Sequence, residues 1–351
     1  MSAIPSTMKA AVIREFGDTD VLRHEVIDTP QPRQGHVLIK ILAAGINRLD
    51  HYIREGSVAP ELPMPHVLGI DAAGEIAALG EGVTGFEIGQ RVIPSPGYPT
   101  DPAEADVRPA ITASSFALPG LAVQGTYAQY IEMPARWVIP DETGLRPEEV
   151  ATLPIVLGTS VRALKTVGEV KSGDKVLVHA GASGSGSMLI QVAKALGAEV
   201  ATTIRHDAKA DIPRRAGADL VINSRSEDFV ERVREWTGGV GADVVIDNVG
   251  GDVLPRSIDA VRPLGVVVVY GFSGGAEVTF DVRDLFFTQK QLRGTMAADI
   301  EDLQWGLERV RAGSIKPMLD RTLPLSRAAE AHGLIAENKV AGNIVLLPWS
   351  A

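Results

Sequence analysis

Glycines 181, 184 and 186 fall in the hexamer Gly181-Ala182-Ser183-Gly184-Ser185-Gly186, directly after the apolar run Lys175-Val176-Leu177-Val178-His179-Ala180. Glycines at this spacing let a chain turn sharply from a strand into a helix, bringing backbone N–H groups and a helix N-terminus up to a pyrophosphate. Leu189, Val192, Ala193 and Leu196 follow at i, i+3, i+4 and i+7, the apolar face of that helix. Ser183 stands where the dinucleotide fingerprint has its second glycine, so its side chain must either point away from the phosphates or hydrogen-bond them. The next strand ends Thr203-Ile204-Arg205, where an NAD site usually carries an acid for the ribose hydroxyls. Arg205 and Lys209 instead offer cations to a 2′-phosphate, so NADPH is expected in preference to NADH. Asp207 is read as a helix N-cap or, in the NADH alternative, as the ribose ligand.

Composition narrows what this turn can serve. The 351 residues are 45 % apolar, enough for about two domains with their own cores. With 36 glycines and 5 % aromatics, the balance favours sheets crossed by tight turns over helical bundles. The net charge of −10, from 34 Lys plus Arg against 44 Asp plus Glu, repels phosphate backbones and anionic membranes, so neither nucleic acid nor membrane is expected as a partner. The absence of Cys rules out disulfides, thiolate nucleophiles and Cys-based zinc sites. No apolar run approaches the roughly 20 residues that span a bilayer, and the opening residues lack the regions of a signal peptide; a cytoplasmic location is expected.

The elements that must carry the chemistry divide in two. Residues 1–150 alternate short β-like runs with Pro and Gly, which predicts a barrel-like β domain, and residues 94–125 read as a long plain loop within it. From about Pro154 strands alternate with helices, predicting a doubly wound parallel sheet covered on both faces. The late β-like runs at 319–323 and 342–347 are expected to return to the first domain. The overall class is α/β, with a dinucleotide domain at 154–296 inserted between residues 1–153 and 297–351. His179 and His332 are read as structural histidines.

Several segments together resemble the zinc-independent quinone oxidoreductase branch of the medium-chain dehydrogenase/reductase superfamily. They are Gly45-Ile46-Asn47-Arg48-Leu49-Asp50-His51-Tyr52-Ile53-Arg54-Glu55-Gly56, Gly69-Ile70-Asp71-Ala72-Ala73-Gly74, the glycine turn with Gln191-Val192-Ala193-Lys194, Asp247-Asn248-Val249-Gly250-Gly251, and Gly342-Asn343-Ile344-Val345-Leu346. The resemblance implies a GroES-like catalytic domain, a Rossmann domain and an active site in the cleft between them. Zinc-dependent relatives have Cys where this chain has Asn47 and His where it has Ile70, and their four-cysteine lobe is missing, so no zinc is expected. Asp50, His51, His66 and Asp71 are read as turn and surface residues rather than an alternative metal site.

Without a Lewis acid the substrate must accept hydride unaided, as a quinone or a conjugated enone does. By resemblance Asn47 and Tyr52 line the cleft and hydrogen-bond the carbonyl oxygen, with Tyr52 a candidate proton donor. The resemblance also assigns cofactor contacts to Thr159, to Asn248 and to Gly271-Phe272-Ser273, besides Gly181, Ser183, Gly184, Ser185 and Gly186. Ser224 stands where many relatives have Tyr, and Asn343 where they usually have Lys. The leading expectation is NADPH-dependent reduction of quinones or similar conjugated carbonyl compounds. An enone or enoyl-thioester reductase is the alternative, and an NADPH-binding, non-catalytic crystallin-like protein a further one. The resemblance implies a homodimer, often built across an edge of the Rossmann sheet.

Overall fold

The computed structural model describes residues 4–337 and 339–350. The chain divides into one unit of Met1–Ile155 with Pro317–Ala351 and a second of Val156–Lys316.

In the first unit the central strand His36–Gly45 pairs antiparallel with Asp71–Leu79 along most of its length and with Tyr130–Pro134. Its end also takes Asn343–Leu347 through Val345 opposite Gly45, and that strand in turn pairs parallel with Leu319–Pro324. Both late β-like runs therefore lie in the first unit. Val37, Ile39, Ile41, Ile76 and Ile344 are buried on these strands and form part of the first unit's core. The stretch expected to be a plain loop is more ordered than that. Tyr98–Pro99 pairs with Phe116–Ala117, and the Glu104 carboxylate accepts from Ser114 Oγ at 2.7 Å and from Ser115 N at 2.8 Å. One acid thus staples the excursion through hydrogen bonds with no periodic signature in the sequence.

The second unit holds a six-stranded parallel sheet in the order Leu220–Asn223, Glu199–Ile204, Lys175–Val178, Ala242–Asp247, Val261–Val269, Gln291–Gly294. Val176, Leu177, Val178, Val244, Val245, Ile246, Val267 and Val268 are all buried, because helices cover both faces of a parallel sheet. Lys175–Val178 comes first in the chain, the next two strands add on one side, and the remaining three on the other. The direction of winding reverses between Lys175–Val178 and Ala242–Asp247. Ligands of open α/β sheets bind at such a switch point, beyond the carboxyl ends of the strands.

Residues 297–316, expected with the first domain, stay in the second unit. The buried Arg162 guanidinium reaches Asp299 at 3.0 Å and Asp302 at 3.2 Å, Thr166 donates to Asp302 at 2.6 Å, and Gln191 exchanges two bonds with the Lys316 backbone. Helix Ile300–Arg311 also packs so closely that a Cβ on Gly306 would lie 2.6 Å from the Leu157 side chain. Polar pairs 125 to 140 residues apart decide the boundary, and strand periodicity carries no sign of them.

Candidate functional site

The glycine turn lies at the switch point. A Cβ on Gly181 would stand 2.1 Å from Thr202 Oγ1, and one on Gly186 would stand 2.2 Å from the Ala180 carbonyl oxygen, so both positions exclude side chains. Helix Gly184–Ala195 starts at Ser183, whose Oγ accepts from Gly186 N at 3.0 Å and donates to Ala180 O at 2.8 Å. The irregular serine is thus the helix N-cap, spent on its own turn. The amides of Gly184 and Ser185, at the first two helical positions, have no intrahelical acceptor and carry the positive end of the helix dipole. This cradle fits a pyrophosphate.

The other positions expected from sequence to contact a cofactor follow the carboxyl ends of this sheet's strands. Arg205 is exposed after Glu199–Ile204, and Lys209 is half-buried in the turn Asp207–Lys209. Ser224 follows the neighbouring strand and donates to Ile204 O at 3.2 Å, which ties the two strand ends together. Arg225, an exposed cation beside it, was not singled out by sequence; its position next to Arg205 depends on strand pairing. Asp207 is not an N-cap. Its carboxylate accepts from Asn223 Nδ2 at 2.9 Å, so it too ties strand ends.

Across the switch point, Asn248 follows Ala242–Asp247, and its Oδ1 is buried without a hydrogen-bond partner among the described residues. A buried orphan acceptor suits a donor on a bound nucleotide. Tyr270, which nothing in the sequence marks, directly follows the next strand, Val261–Val269, and meets both Ser185 and Asn248. Burial pushes its phenol up to about 12, against the two bonds that its oxygen accepts. Gly271, Phe272 and Ser273 follow as a loop on which Phe272 is 47 % exposed. Thr159 is half-buried on helix Pro154–Val161. Asn343 is buried at the start of a first-unit strand, with its N–H donating to Met318 O at 2.7 Å.

In the first unit Asn47 begins helix Arg48–Arg54. Its backbone N–H donates to Asp50 Oδ2 at 2.7 Å, its side-chain Nδ2 donates to Asp71 Oδ2 at 2.9 Å, and Tyr127 Oη donates to Asp50 Oδ2 at 2.9 Å. Asp71 Oδ1 accepts from Ile155 N at 2.9 Å. Asp50, His51, His66 and Asp71, read from sequence as turn and surface residues, are all buried, at 0 %, 9 %, 1 % and 0 % exposure. The helix and strands that carry them pack these polar side chains inward, where Asp50 is met by an N–H and an O–H donor and Asp71 by two N–H donors. Desolvation raises Asp50 to about 7 and Asp71 to about 8, with the proximity of Asp50 adding to the latter. Tyr52 is half-buried on the same helix, its ring 5.7 Å from that of His51. Asn47 thus caps the short helix on which Tyr52 lies. Ile70 is fully buried and offers no ligand atom, and no cluster of three metal-ligating side chains occurs among the described residues.

Residues 33–143 match the family described as the alcohol dehydrogenase GroES-like domain, and residues 184–312 match the one described as zinc-binding dehydrogenase. The 2-haloacrylate reductase of a Burkholderia species is 34% identical over 353 residues, covering 97% of this chain and 98% of its own length. The chain belongs to the medium-chain dehydrogenase/reductase superfamily. Within that superfamily it falls in the quinone oxidoreductase-like branch: the human quinone oxidoreductase is 28% identical over 348 residues, covering 97% of this chain and 98% of its own. Among solved members of the superfamily, an NAD-dependent alcohol dehydrogenase superposes with TM-score 0.91 at 34% identity, covering 97% of this chain and 99% of its own. A crotonyl-CoA carboxylase/reductase in complex with NADP superposes with TM-score 0.92 at 26% identity, covering 99% and 96%. This member of the superfamily is an oxidoreductase with a GroES-like domain and a Rossmann-type domain.

Proposed function

We infer that the protein is an NADPH-dependent reductase that delivers hydride to quinones or other conjugated carbonyl compounds without zinc. The observation that carries this reading is the Asn47 amide, held by Asp71 at 2.9 Å, with Ile70 beside Asp71 in the chain. Those are the two positions at which, by resemblance, zinc-dependent relatives place ligands. An amide that donates one N–H to Asp71 keeps its second for a substrate oxygen, where it stabilises the negative charge that grows as the conjugated system is reduced. Such a donor is weaker than a metal ion, so the acceptor must be activated by its own conjugation.

Bound NADPH supplies the hydride; the chain supplies the rest. The open amides of Gly184 and Ser185 receive the pyrophosphate, and Arg205 with Lys209 receives the 2′-phosphate. Tyr52 is the proton donor to the reduced substrate, directly or through water. The names of relatives support the substrate class, because haloacrylate, quinones and crotonyl-CoA are all conjugated carbonyl compounds. A cytoplasmic homodimer completes the reading. Self-association is supported by the open edge of strand Gln291–Gly294 and by the exposed Leu292, Phe286 and Phe287 on and before it.

The test is NADPH and NADH consumption against a panel of quinones, enones, enoyl thioesters, aldehydes and alcohols, with and without a chelator. Turnover of quinones or enones with NADPH, unaffected by chelator, is expected. Turnover confined to enoyl thioesters selects the reductase alternative; zinc-dependent alcohol oxidation overturns the reading. NADPH binding with no oxidation on any acceptor makes the protein a binding or structural one.

A further inference from the structure

A chain of buried polar groups runs beneath the carboxyl ends of three neighbouring strands. His179 is 1 % exposed, and its Nδ1 lies 3.0 Å from Thr203 Oγ1 while its Nε2 lies 2.9 Å from Ser257 Oγ. Ser257 Oγ is 2.8 Å from Asp247 Oδ2, and Asp247 Oδ1 accepts from the amides of Val249 and Gly250 at 2.9 and 2.8 Å. At the other end Thr203 Oγ1 accepts from Ala180 N at 3.2 Å.

Counting donors gives every bond in this chain a direction. Ser257 has one proton, and the carboxylate at 2.8 Å takes it in preference to the Val253 carbonyl at 3.2 Å. Ser257 Oγ must then accept from His179, so Nε2 carries the ring proton. In a neutral ring Nδ1 is left as acceptor, Thr203 donates to it, and the Thr203 oxygen is free to accept from Ala180. Burial keeps the ring neutral, pushing His179 down to about 4, with Arg256 acting the same way and Asp247 opposing. Phe229 packs edge-on to the ring, 4.9 Å between centroids, which leaves it one orientation.

Both ends of the chain are loops of the dinucleotide site. Ala180 has φ +54°, a left-handed conformation that costs a non-glycine residue free energy, and it immediately precedes Gly181. Val249 and Gly250 follow Asn248. We propose that His179, with Thr203 and Ser257, is a positioning residue that holds the strained glycine turn and the Asn248 loop in one fixed arrangement ready to receive a dinucleotide. The proposal rests on the dinucleotide reading of the turn, though not on the choice between NADPH and NADH. None of these three side chains needs to touch the cofactor; they act through the backbone at 180 and 248–250.

The test combines binding with spectroscopy. Dissociation constants for NADPH and NADH are measured by calorimetry for the wild type, Thr203→Val, Ser257→Ala, the double variant and the conservative Thr203→Ser, each well below its Tm. Thr203→Val and Ser257→Ala are each expected to weaken dinucleotide binding about tenfold, the size of effect usual for buried hydrogen-bond partners. The double variant is expected to be weaker than wild type by much less than the product, because one break already uncouples the chain, and Thr203→Ser is expected to bind as wild type. Nitrogen-15 NMR of the cofactor-free protein is expected to show His179 with its proton on Nε2. A proton on Nδ1, unchanged affinity in both single variants despite a lower Tm, or fully multiplicative effects would each overturn the proposal while leaving the dinucleotide site intact. A wild-type protein that binds neither NADPH nor NADH would remove the underlying reading, and the proposal with it.

Discussion

The side-chain amide of Asn47 donates to Asp71 at 2.9 Å, while the backbone N–H of the same residue donates to Asp50 at 2.7 Å. One residue therefore joins two fully buried carboxyls, and its amide cannot turn without breaking a bond to Asp71. Replacing Asp71 by Leu releases the amide and strands the Ile155 N–H. A fall in kcat/KM of about 10- to 100-fold is expected with NADPH affinity within about twofold of wild type, as for loss of a residue that orients a substrate-binding group. Steady-state kinetics beside calorimetry checks it; equal losses in both would place Asp71 outside substrate handling.

Titration of this pair has a definite sign. With Asp50 raised to about 7 and Asp71 to about 8 from an ordinary 3.8, the native state holds protons that the unfolded state has released. Their contribution is complete below about pH 4 and is lost as pH rises through about 7 to 8. His179 and His332, lowered by burial to about 4 and about 3, act oppositely: the unfolded state binds more protons up to the ordinary 6.5, so their contribution grows with pH to that point and is then constant. From about pH 7.5 to 8.5 the histidines of the unfolded chain are already neutral while the carboxyl contribution still falls, so Tm is expected to drop over that interval. The Asp50→Asn, Asp71→Asn double variant is expected to show a flatter profile by scanning calorimetry; an unchanged slope would mean that these carboxyls do not titrate as described.

Arg205 stands exposed at the end of its strand, with Arg225 following the neighbouring one. Arg205→Asp places an acid where the ribose hydroxyls of NADH would be recognised and repels a 2′-phosphate. The ratio of kcat/KM for NADPH to that for NADH is expected to invert, through a change of about two powers of ten. Unchanged selectivity in this variant would assign the 2′-phosphate to other cations.

Gly186→Ala puts a methyl group 2.2 Å from the Ala180 carbonyl oxygen, a backbone atom that cannot step aside without opening the turn. Dinucleotide binding is expected to drop below detection by calorimetry, and NADPH is expected to lose its ability to raise Tm. Retention of that thermal shift would show that the turn yields at little cost.

Much of this arrangement was legible in the chain. The glycine spacing and the switch to alternating strands and helices near Pro154 follow from local rules: where a Cβ cannot fit and which period buries an apolar face. Those rules carry to Gly181, Gly186 and the core valines, because a parallel sheet buried on both faces leaves little choice of residue type.

Local rules stop where a polar side chain must choose its partner. From sequence Ser183 was a flaw in a fingerprint, Asp50 and Asp71 were surface residues, His179 was a core histidine and residues 297–316 belonged to the first domain. In the fold Ser183 caps its own helix, the carboxyls share Asn47, His179 links Thr203 to Ser257 and Arg162 holds Asp299 and Asp302. Hydrogen bonds are short-ranged and directional, and these join residues up to 140 positions apart, so their partners exist only once packing has brought the strands together. The sequence by itself determined the class of fold and the presence of a glycine turn between strand and helix, through sterics and burial. The tertiary structure alone decided which polar groups are spent on holding that turn and which remain open to a ligand.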